Sequence, residues 1–461
     1  MFFEQISTPG LGCFSYAVGC PEAGVMAIID PRRDTGVYLH IADEHEMRIT
    51  HIFDTHIHAD HISGALELRA ATKADIFIHE NATVGYEAKK VKNGDEFMLG
   101  SAFIRALHTP GHTPNSISLL ISDLSRSPEP EMILTGDLLF VGDIGRPDLP
   151  GEEMLNEQVE NLYDSLYKTL KPLPDYLEVY PAHGQGSLCG KGMSAKPSST
   201  LGYERLANHM LGYSDINKFK RDILSDLPVR PQSFSAIIAA NVRGAALVPE
   251  RSIVEYELTA DKTDELIKSG ALVLDLRDAI SFGEAHIPGS INVEFFGGAA
   301  LNWIGVVIPP GTDLVLVLPN DESFEDIYMQ LRRIGYDTVK GWIAGGVRSW
   351  AQSGRETQRM PYLSPSGLRA RLAESNPPAV IDVRSPEEFM EINIEGAVNF
   401  PLNLIPESDA LPVDMDGETV VVCQSGYRAG IAASLLQSRG CMNISILTGG
   451  MNDYQDYNNP G

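Results

Sequence analysis

One stretch, Thr-His-Ile-His-Ala-Asp-His at residues 55–61, constrains this chain more than its composition does. Three histidines and an aspartate within six positions form the pattern H-x-H-x-D-H, a dense set of metal ligands. Residues 48–54 before it have the composition of a strand, and residues 63–69 after it that of the first turns of a helix. On an extended backbone His56 and His58 would point to the same side. The alternative is a polar loop whose histidines bond to the backbone.

More ligand candidates follow the opening motif, each just past an apolar, strand-like run. They occur in the patterns Gly-His, Gly-Asp and Ala-His-Gly, and they are His112, Asp137 and His183. A glycine beside each one permits close approach of other groups. The whole series resembles the metallo-β-lactamase superfamily over about the first 245 residues. That resemblance implies an αββα sandwich with metal at one edge.

The chain as a whole has the size and charge of an acidic multidomain enzyme. Its 461 residues predict about three domains. A net charge of −26 and a pI near 4.8 argue against binding to nucleic acid or to anionic membranes. We expect neither a signal peptide nor a membrane span, because no basic leader and no sufficiently long apolar run is visible. Five scattered cysteines indicate a reducing compartment, so a cytoplasmic location is expected.

From about residue 256 onward the sequence repeats itself. Leu-Val-Leu-Asp-Leu-Arg at 272–277 matches Val-Ile-Asp-Val-Arg at 380–384, and Gly-Ser-Ile-Asn at 289–292 matches Gly-Ala-Val-Asn at 396–399. Alternating strands and helices in each copy predict two doubly wound α/β domains after an α/β N-terminal domain. The predicted domains are 1–250, 256–356 and 362–461.

The second copy contains a reactive-cysteine pattern. A buried strand runs into Cys-Gln-Ser-Gly-Tyr-Arg at 423–428, and a helical segment follows. Backbone N–H groups at this turn favour a thiolate and an anionic substrate; a small buried cysteine is the alternative. The loop resembles that of a rhodanese sulfurtransferase, which implies that Cys423 carries sulfane sulfur and that Arg428 helps to hold thiosulfate or sulfite. The first copy has no cysteine, so we predict that it is inactive.

Spacing alone predicts two metals in the N-terminal domain, activating water as in glyoxalase II. One metal would be bound by His56, His58 and His112, and the other by Asp60, His61 and His183, with Asp137 as the bridge.

The segment Gly-Arg-Pro-Asp at 145–148 favours a different reaction. It resembles the persulfide dioxygenases, including bacterial members fused to rhodanese domains. That resemblance implies one Fe(II) per chain, and no other cofactor. The ligands would be His56, His112 and Asp137, a set that leaves open positions for O2 and a persulfide. The groups that orient the ligands and bind water would then be His58, Asp60, His61 and His183. Arg146 and Asp148 would pair beside the iron; an ordinary surface ion pair is the alternative.

The predicted function is therefore oxidation of a thiol persulfide by O2 to sulfite, coupled to a rhodanese that interconverts sulfite and thiosulfate. The carrier thiol is glutathione, coenzyme A or cysteine, and a homo-oligomer is expected. Two alternatives are a glyoxalase II-like thioester hydrolase with an attached sulfurtransferase, and a sulfur-binding carrier or sensor. Cys189 and Cys20 are possible substrate-pocket residues, whereas Cys13 and Cys441 are assigned to packing.

Overall fold

The computed structural model describes residues 1–225, 227, 230–249, 252–296, 299–412 and 416–458 of the chain. The chain forms two compact units, Met1–Pro249 with Arg332–Gly335, and Glu250–Leu331 with Tyr336–Gly461. Every helix among the described residues is too short or too polar to cross a membrane.

The described residues of the first unit form two six-stranded sheets and six α-helices. The first sheet has its strands in sequential order: β1 (Phe2–Thr8), β2 (Cys13–Cys20), β3 (Val25–Ile29), β4 (Arg48–Phe53), β5 (Asp75–His79) and β6 (Lys89–Val91). The second sheet has the order β12-β11-β10-β9-β8-β7: β7 (Glu96–Leu99), β8 (Ala102–His108), β9 (Ile117–Asp123), β10 (Met132–Gly136), β11 (Glu178–Pro181) and β12 (Ser199–Thr200). The helices are α1 (Gly36–Glu44), α2 (Ala65–Thr72), α3 (Glu152–Asp164), α4 (Leu201–Ala207), α5 (Ile216–Ser225) and α6 (Ser233–Arg243).

Both faces of each sheet are buried, which produces four layers. Along β3, Ala27 and Ile29 belong to the cluster shared with the second sheet, whereas Met26 and Ile28 belong to the cluster with α1 and α2. The residues alternate between the two clusters because successive side chains of a strand point to opposite faces of the sheet. The outer face of the second sheet packs against α3, α4 and α5. This is the predicted αββα sandwich.

The described part of the second unit forms two five-stranded parallel sheets with matching strand orders, β13-β17-β16-β14-β15 and β18-β22-β21-β19-β20. The first copy consists of β13 (Glu257–Leu258), α7 (Ala260–Lys268), β14 (Leu272–Asp275), α8 (Ala279–Glu284), β15 (Ile291–Asn292), α9 (Ala300–Val307), β16 (Leu314–Val317), α10 (Phe324–Arg333), β17 (Val339–Ile343) and α11 (Gly346–Gln352). The second consists of β18 (Tyr362–Leu363), α12 (Pro365–Leu372), β19 (Ala379–Asp382), α13 (Pro386–Glu391), β20 (Val398–Asn399), β21 (Thr419–Val422), α14 (Tyr427–Ser438), β22 (Ile444–Leu447) and α15 (Gly450–Asn458). The exact domain boundaries stay a prediction.

Candidate metal centre and sulfur-transfer loop

Three side chains that follow three different strands meet at one buried point. His56 comes after β4, His112 after β8 and Asp137 directly after β10, and their donor atoms all lie within 4.8 Å of one another. His112 Nε2 is 3.2 Å and His56 Nε2 is 3.8 Å from Asp137 Oδ2. Ligand atoms around one ion with bonds near 2.1 Å lie about 3.0 to 3.5 Å apart. Each of these three atoms is buried and has no hydrogen-bond partner among the described residues.

Hydrogen bonds on the far side of the two imidazoles fix which nitrogen carries the proton. His56 Nδ1–H donates to Thr55 Oγ1 at 3.0 Å, and the Thr55 hydroxyl donates to Asp30 Oδ2 at 2.8 Å. His112 Nδ1–H donates to the Arg146 carbonyl at 2.8 Å. Burial lowers the pKa of both His56 and His112, so both rings are neutral and each Nε2 lone pair is available for a metal.

A second cluster of potential ligands lies beside the first, but its atoms bond to one another. Asp60 accepts hydrogen bonds from His183 Nε2 at 2.8 Å, from His61 Nδ1 at 3.2 Å and from Cys13 Sγ at 3.1 Å. His183 Nδ1–H donates to Asp137 Oδ1 at 2.6 Å. Although burial opposes it, Asp137 raises the pKa of His183, which matches an imidazolium that donates from both nitrogens. The donors of this cluster are therefore already paired.

The ring centroids of His56 and His58 lie 4.3 Å apart, but the donor atoms of the two residues belong to different ligand clusters. Strand β4 ends at Phe53, so the two histidines lie on a loop and the period of two does not apply to them. His58 Nε2–H donates to Asp30 Oδ1 at 3.1 Å, and its Nδ1 is buried with no hydrogen-bond partner among the described residues. His58 thus lies in a cluster with Asp30 and Asp54.

Two residues of the site were missed by sequence reasoning. Cys13, assigned to packing, bonds to Asp60 and lies in the second cluster. Asn241 on α6 braces the ligand loop: its Nδ2 donates to the carbonyls of His58 and His61, both at 2.9 Å, and its Oδ1 accepts from the Ser63 N–H at 3.0 Å. No local pattern marks either residue, because each contact spans dozens of positions.

Arg146 and Asp148 form a two-pronged pair, with Arg146 Nε and Nη2 each 2.7 Å from an oxygen of Asp148. Arg146 is only 3% exposed, which is unlike an ordinary surface ion pair. The Arg146 carbonyl also accepts the hydrogen bond from His112 Nδ1–H, so the segment around Arg146 orients the imidazole of a candidate metal ligand. A catalytic role for the pair stays a prediction.

The two cysteines proposed for the substrate pocket have different surroundings. Cys189 lies within 4.8 Å of the donor atoms of Asp137 and His183, and burial raises the pKa of its thiol to about 12. Cys20 accepts a hydrogen bond from Ser101 at 3.3 Å and belongs to none of the ligand clusters found among the described residues.

Cys423 follows β21, and its loop ends where α14 begins. The Gly426 N–H donates to Cys423 Sγ at 3.1 Å, as a thiolate-stabilising loop requires. The two terminal nitrogens of Arg428 each lie 2.7 Å from an oxygen of Glu388. These bonds lower the pKa of Glu388 to about 2. Arg428 is thus held by Glu388, and its contact with an anion stays a prediction.

Comparison with known proteins agrees with this architecture. The profile of the metallo-beta-lactamase superfamily matches residues 8–183, and that of the rhodanese-like domain matches residues 259–353 and 364–457. A metallo-beta-lactamase crystal structure from Staphylococcus aureus subsp. aureus COL is 33% identical, over 74% of this chain and 98% of that one, with a TM-score of 0.67. The chain belongs to the metallo-beta-lactamase superfamily. Its two rhodanese-like domains confirm the predicted fusion and fold class.

Curated relatives of this metallo-beta-lactamase superfamily protein include two kinds of enzyme. Persulfide dioxygenase ETHE1, mitochondrial, from Bos taurus is 26% identical over 54% of this chain and 91% of its own length. Hydroxyacylglutathione hydrolase from Methylococcus capsulatus is 31% identical over 37% of this chain and 61% of its own length. The fold and these relatives imply an enzyme with a bound metal that acts on sulfur compounds, and the ligand clusters supply candidate sites.

Proposed function

We propose that the N-terminal domain is a persulfide dioxygenase with one Fe(II), held by His56, His112 and Asp137. We further propose that Cys423 is the sulfur carrier of a rhodanese sulfurtransferase. Together the two activities would remove sulfide-derived persulfide in the cytoplasm. The carrier thiol is glutathione, coenzyme A or cysteine.

One observation carries the proposal for a single metal. The three ligand atoms of the His56 triad are buried and lack hydrogen-bond partners in the described part of the chain, whereas the second cluster is internally paired. Asp137 divides its carboxylate between the two: Oδ2 faces the triad and Oδ1 accepts from His183. A bridging carboxylate would need Oδ1 for a second ion. Two histidines and one carboxylate form the facial set typical of non-haem iron.

Bound iron would supply the open positions at which O2 and the persulfide sulfur come together. The surrounding residues hold the ligands: Thr55 and the Arg146 carbonyl fix the two imidazoles, and the His183 imidazolium holds Asp137 in place. In the overall reaction a persulfide, one O2 and one water give the free thiol and sulfite. The Cys423 thiolate would take the outer sulfur of a second thiol persulfide and release that thiol. The resulting Cys423 persulfide would pass this sulfur to sulfite, which gives thiosulfate and returns the Cys423 thiolate.

The relatives named persulfide dioxygenase favour this activity, since the match reaches 91% of their length. A rhodanese in the same chain adds weight, because its acceptor, sulfite, is the product of the dioxygenase. A thioester hydrolase has no comparable use for Cys423.

The test is O2 uptake by the purified, iron-loaded chain when glutathione persulfide is added, with sulfite and thiosulfate assayed together. We expect rapid uptake that His112→Ala abolishes. The control His209→Ala, which changes an exposed histidine outside the clusters, should retain the uptake. Cys423→Ser is expected to keep the uptake and to raise sulfite at the expense of thiosulfate. Absence of uptake in the wild-type chain would refute the dioxygenase.

A glyoxalase II-like hydrolase with two metals is the second candidate. Two observations favour it: the 31% identity to a hydroxyacylglutathione hydrolase, and the buried His58 Nδ1 without a partner among the described residues. It predicts two ions per chain and hydrolysis of S-lactoylglutathione without O2.

A further inference from the structure

The helix that follows the Cys423 loop presents one face to the cysteine-free copy. Tyr427, Ser434 and Gln437 on α14 are spaced by seven and three positions, which places them on a single stripe of a helix. Each forms a hydrogen bond with a residue between 286 and 294 of the other copy. Both copies belong to the same compact unit.

Three hydrogen bonds make up this contact, which we call the α14 clamp. They join the Tyr427 hydroxyl to the Glu294 carbonyl at 3.1 Å, the Asn292 N–H to Ser434 Oγ at 3.0 Å, and His286 Nε2 to Gln437 Oε1 at 2.9 Å. Ser434 and His286 are fully buried and Asn292 is 2% exposed. Because a buried donor or acceptor without a partner is costly, these bonds fix α14 strongly.

The clamp bears on Cys423 because the loop and the helix share their backbone. Gly426, whose N–H donates to Cys423 Sγ, directly precedes Tyr427, the first clamp residue. A rotation or shift of α14 would therefore move this donor away from the sulfur. A second support comes from α15, where the Met451 N–H donates to the Cys423 carbonyl at 2.8 Å.

We propose that the cysteine-free copy is a positioning element for the Cys423 site and that Tyr427 and Ser434 are its positioning residues. The copy has lost the sulfur carrier but holds the helix whose first turn places an N–H on the Cys423 sulfur. The consequence for sulfur transfer rests on the proposed rhodanese function. The effect on thiolate reactivity does not.

The clamp can be tested without changing any charge. The charged groups around the loop are Arg428, paired with Glu388, and Arg384, which pairs with Asp382 and donates to Gln424 Oε1 at 3.1 Å. Tyr427→Phe and Ser434→Ala leave all of these in place. A shift in the pH profile of Cys423 would therefore report the position of the Gly426 N–H.

The experiment follows alkylation of Cys423 by iodoacetamide in the full chain across pH 6 to 9, read by mass spectrometry of the Cys423 peptide. We expect both variants to react about five-fold more slowly at pH 7, the effect of one weakened hydrogen bond, with the midpoint moved to higher pH. Ser434→Thr keeps a hydroxyl and should restore the wild-type profile. Tyr362→Phe is the matched control, since the Tyr362 hydroxyl also bonds across to the cysteine-free copy, donating to the Ala279 carbonyl at 2.8 Å, but Tyr362 lies on β18 and not on α14.

Profiles of Tyr427→Phe and Ser434→Ala that superimpose on the wild type would overturn the proposal, provided circular dichroism shows folded chains. An equal shift in Tyr362→Phe would overturn it too, because the effect would then be general loosening. If the variants shift but wild-type Cys423 accepts no sulfur from thiosulfate, the clamp stands and the rhodanese proposal fails.

Discussion

Replacing His183 by alanine separates the one-metal site from the two-metal site. His183 is fully buried and donates to Asp137 Oδ1 at 2.6 Å and to Asp60 Oδ2 at 2.8 Å. In the one-metal site the change leaves all three ligands in place and removes only the group that orients Asp137. Loss of such a partner weakens metal binding about 10- to 100-fold, or about 1.4 to 2.8 kcal/mol. In the two-metal site His183 is itself a ligand, so its loss would remove an ion.

The assay counts metal per chain by mass spectrometry after equilibration against a graded series of chelator concentrations. We expect one ion per chain in the wild type and in His183→Ala, with the variant losing it at a 10- to 100-fold lower chelator concentration. His79→Ala is the control for loss of a buried imidazole outside the clusters, and it should bind metal as the wild type does. Two ions in the wild type and one in His183→Ala would refute the reasoning.

Three further predictions concern single residues. Glu388→Gln should lower the free energy of unfolding at pH 7 by about 1 to 2 kcal/mol, a value reduced for its partial exposure. Because the folded pKa of Glu388 lies at about 2, below the ordinary 4.5, the pair with Arg428 stabilises fully above about pH 5 and is lost as the pH falls toward 2; equal urea midpoints for variant and wild type at pH 7 would contradict this. Gly145→Ala should abolish metal binding, since its Cβ would lie 1.9 Å from the Asp137 carbonyl oxygen; a metal count of one would disprove the clash. Cys189 should resist iodoacetamide at pH 8 in the native chain, because burial raises the pKa of its thiol to about 12; rapid labelling would show an accessible thiolate.

The residues of the candidate metal site could be predicted from the sequence because ligand motifs at strand ends are local signals. His56, His112 and Asp137 each follow a run whose apolar pattern predicts a strand, and those strands exist. Sequence reasoning could not assign His56 and His58 to their separate ligand clusters. That assignment depends on where β4 ends and on Asp30, a residue from another strand end. Beyond Phe53 the backbone is no longer a strand, so the alternation of side chains does not fix which ring faces the site.

Contacts between site residues that lie far apart in the sequence could not be predicted, for a different reason. Asn241 binds three backbone groups of the 58–63 loop, yet it is an ordinary polar residue of an amphipathic helix. Cys13 begins a strand and looks like an ordinary core residue in the sequence. Only its backbone bridge to His183 brings it to Asp60. Such roles depend on the tertiary arrangement and produce no periodic pattern in the sequence.

Comparison of the two rhodanese-like copies separates the residues that stabilise the fold from those of the proposed sulfur-transfer loop. Arg277 pairs with Asp275 as Arg384 pairs with Asp382, with closest contacts of 2.6 Å and 2.7 Å. In the first copy Asn292 Nδ2 also donates to the carbonyls of Asp275 and Arg277, at 3.0 Å each. In the second copy Asn399 Nδ2 donates to the carbonyls of Asp382 and Arg384 in the same way. Since the cysteine-free copy keeps this network, the Asp-x-Arg motif stabilises the turn after the strand and does not by itself indicate sulfur transfer. The sulfur transfer that we propose depends on the later loop, where the second copy supplies the Cys423 thiol and the Gly426 N–H that donates to it.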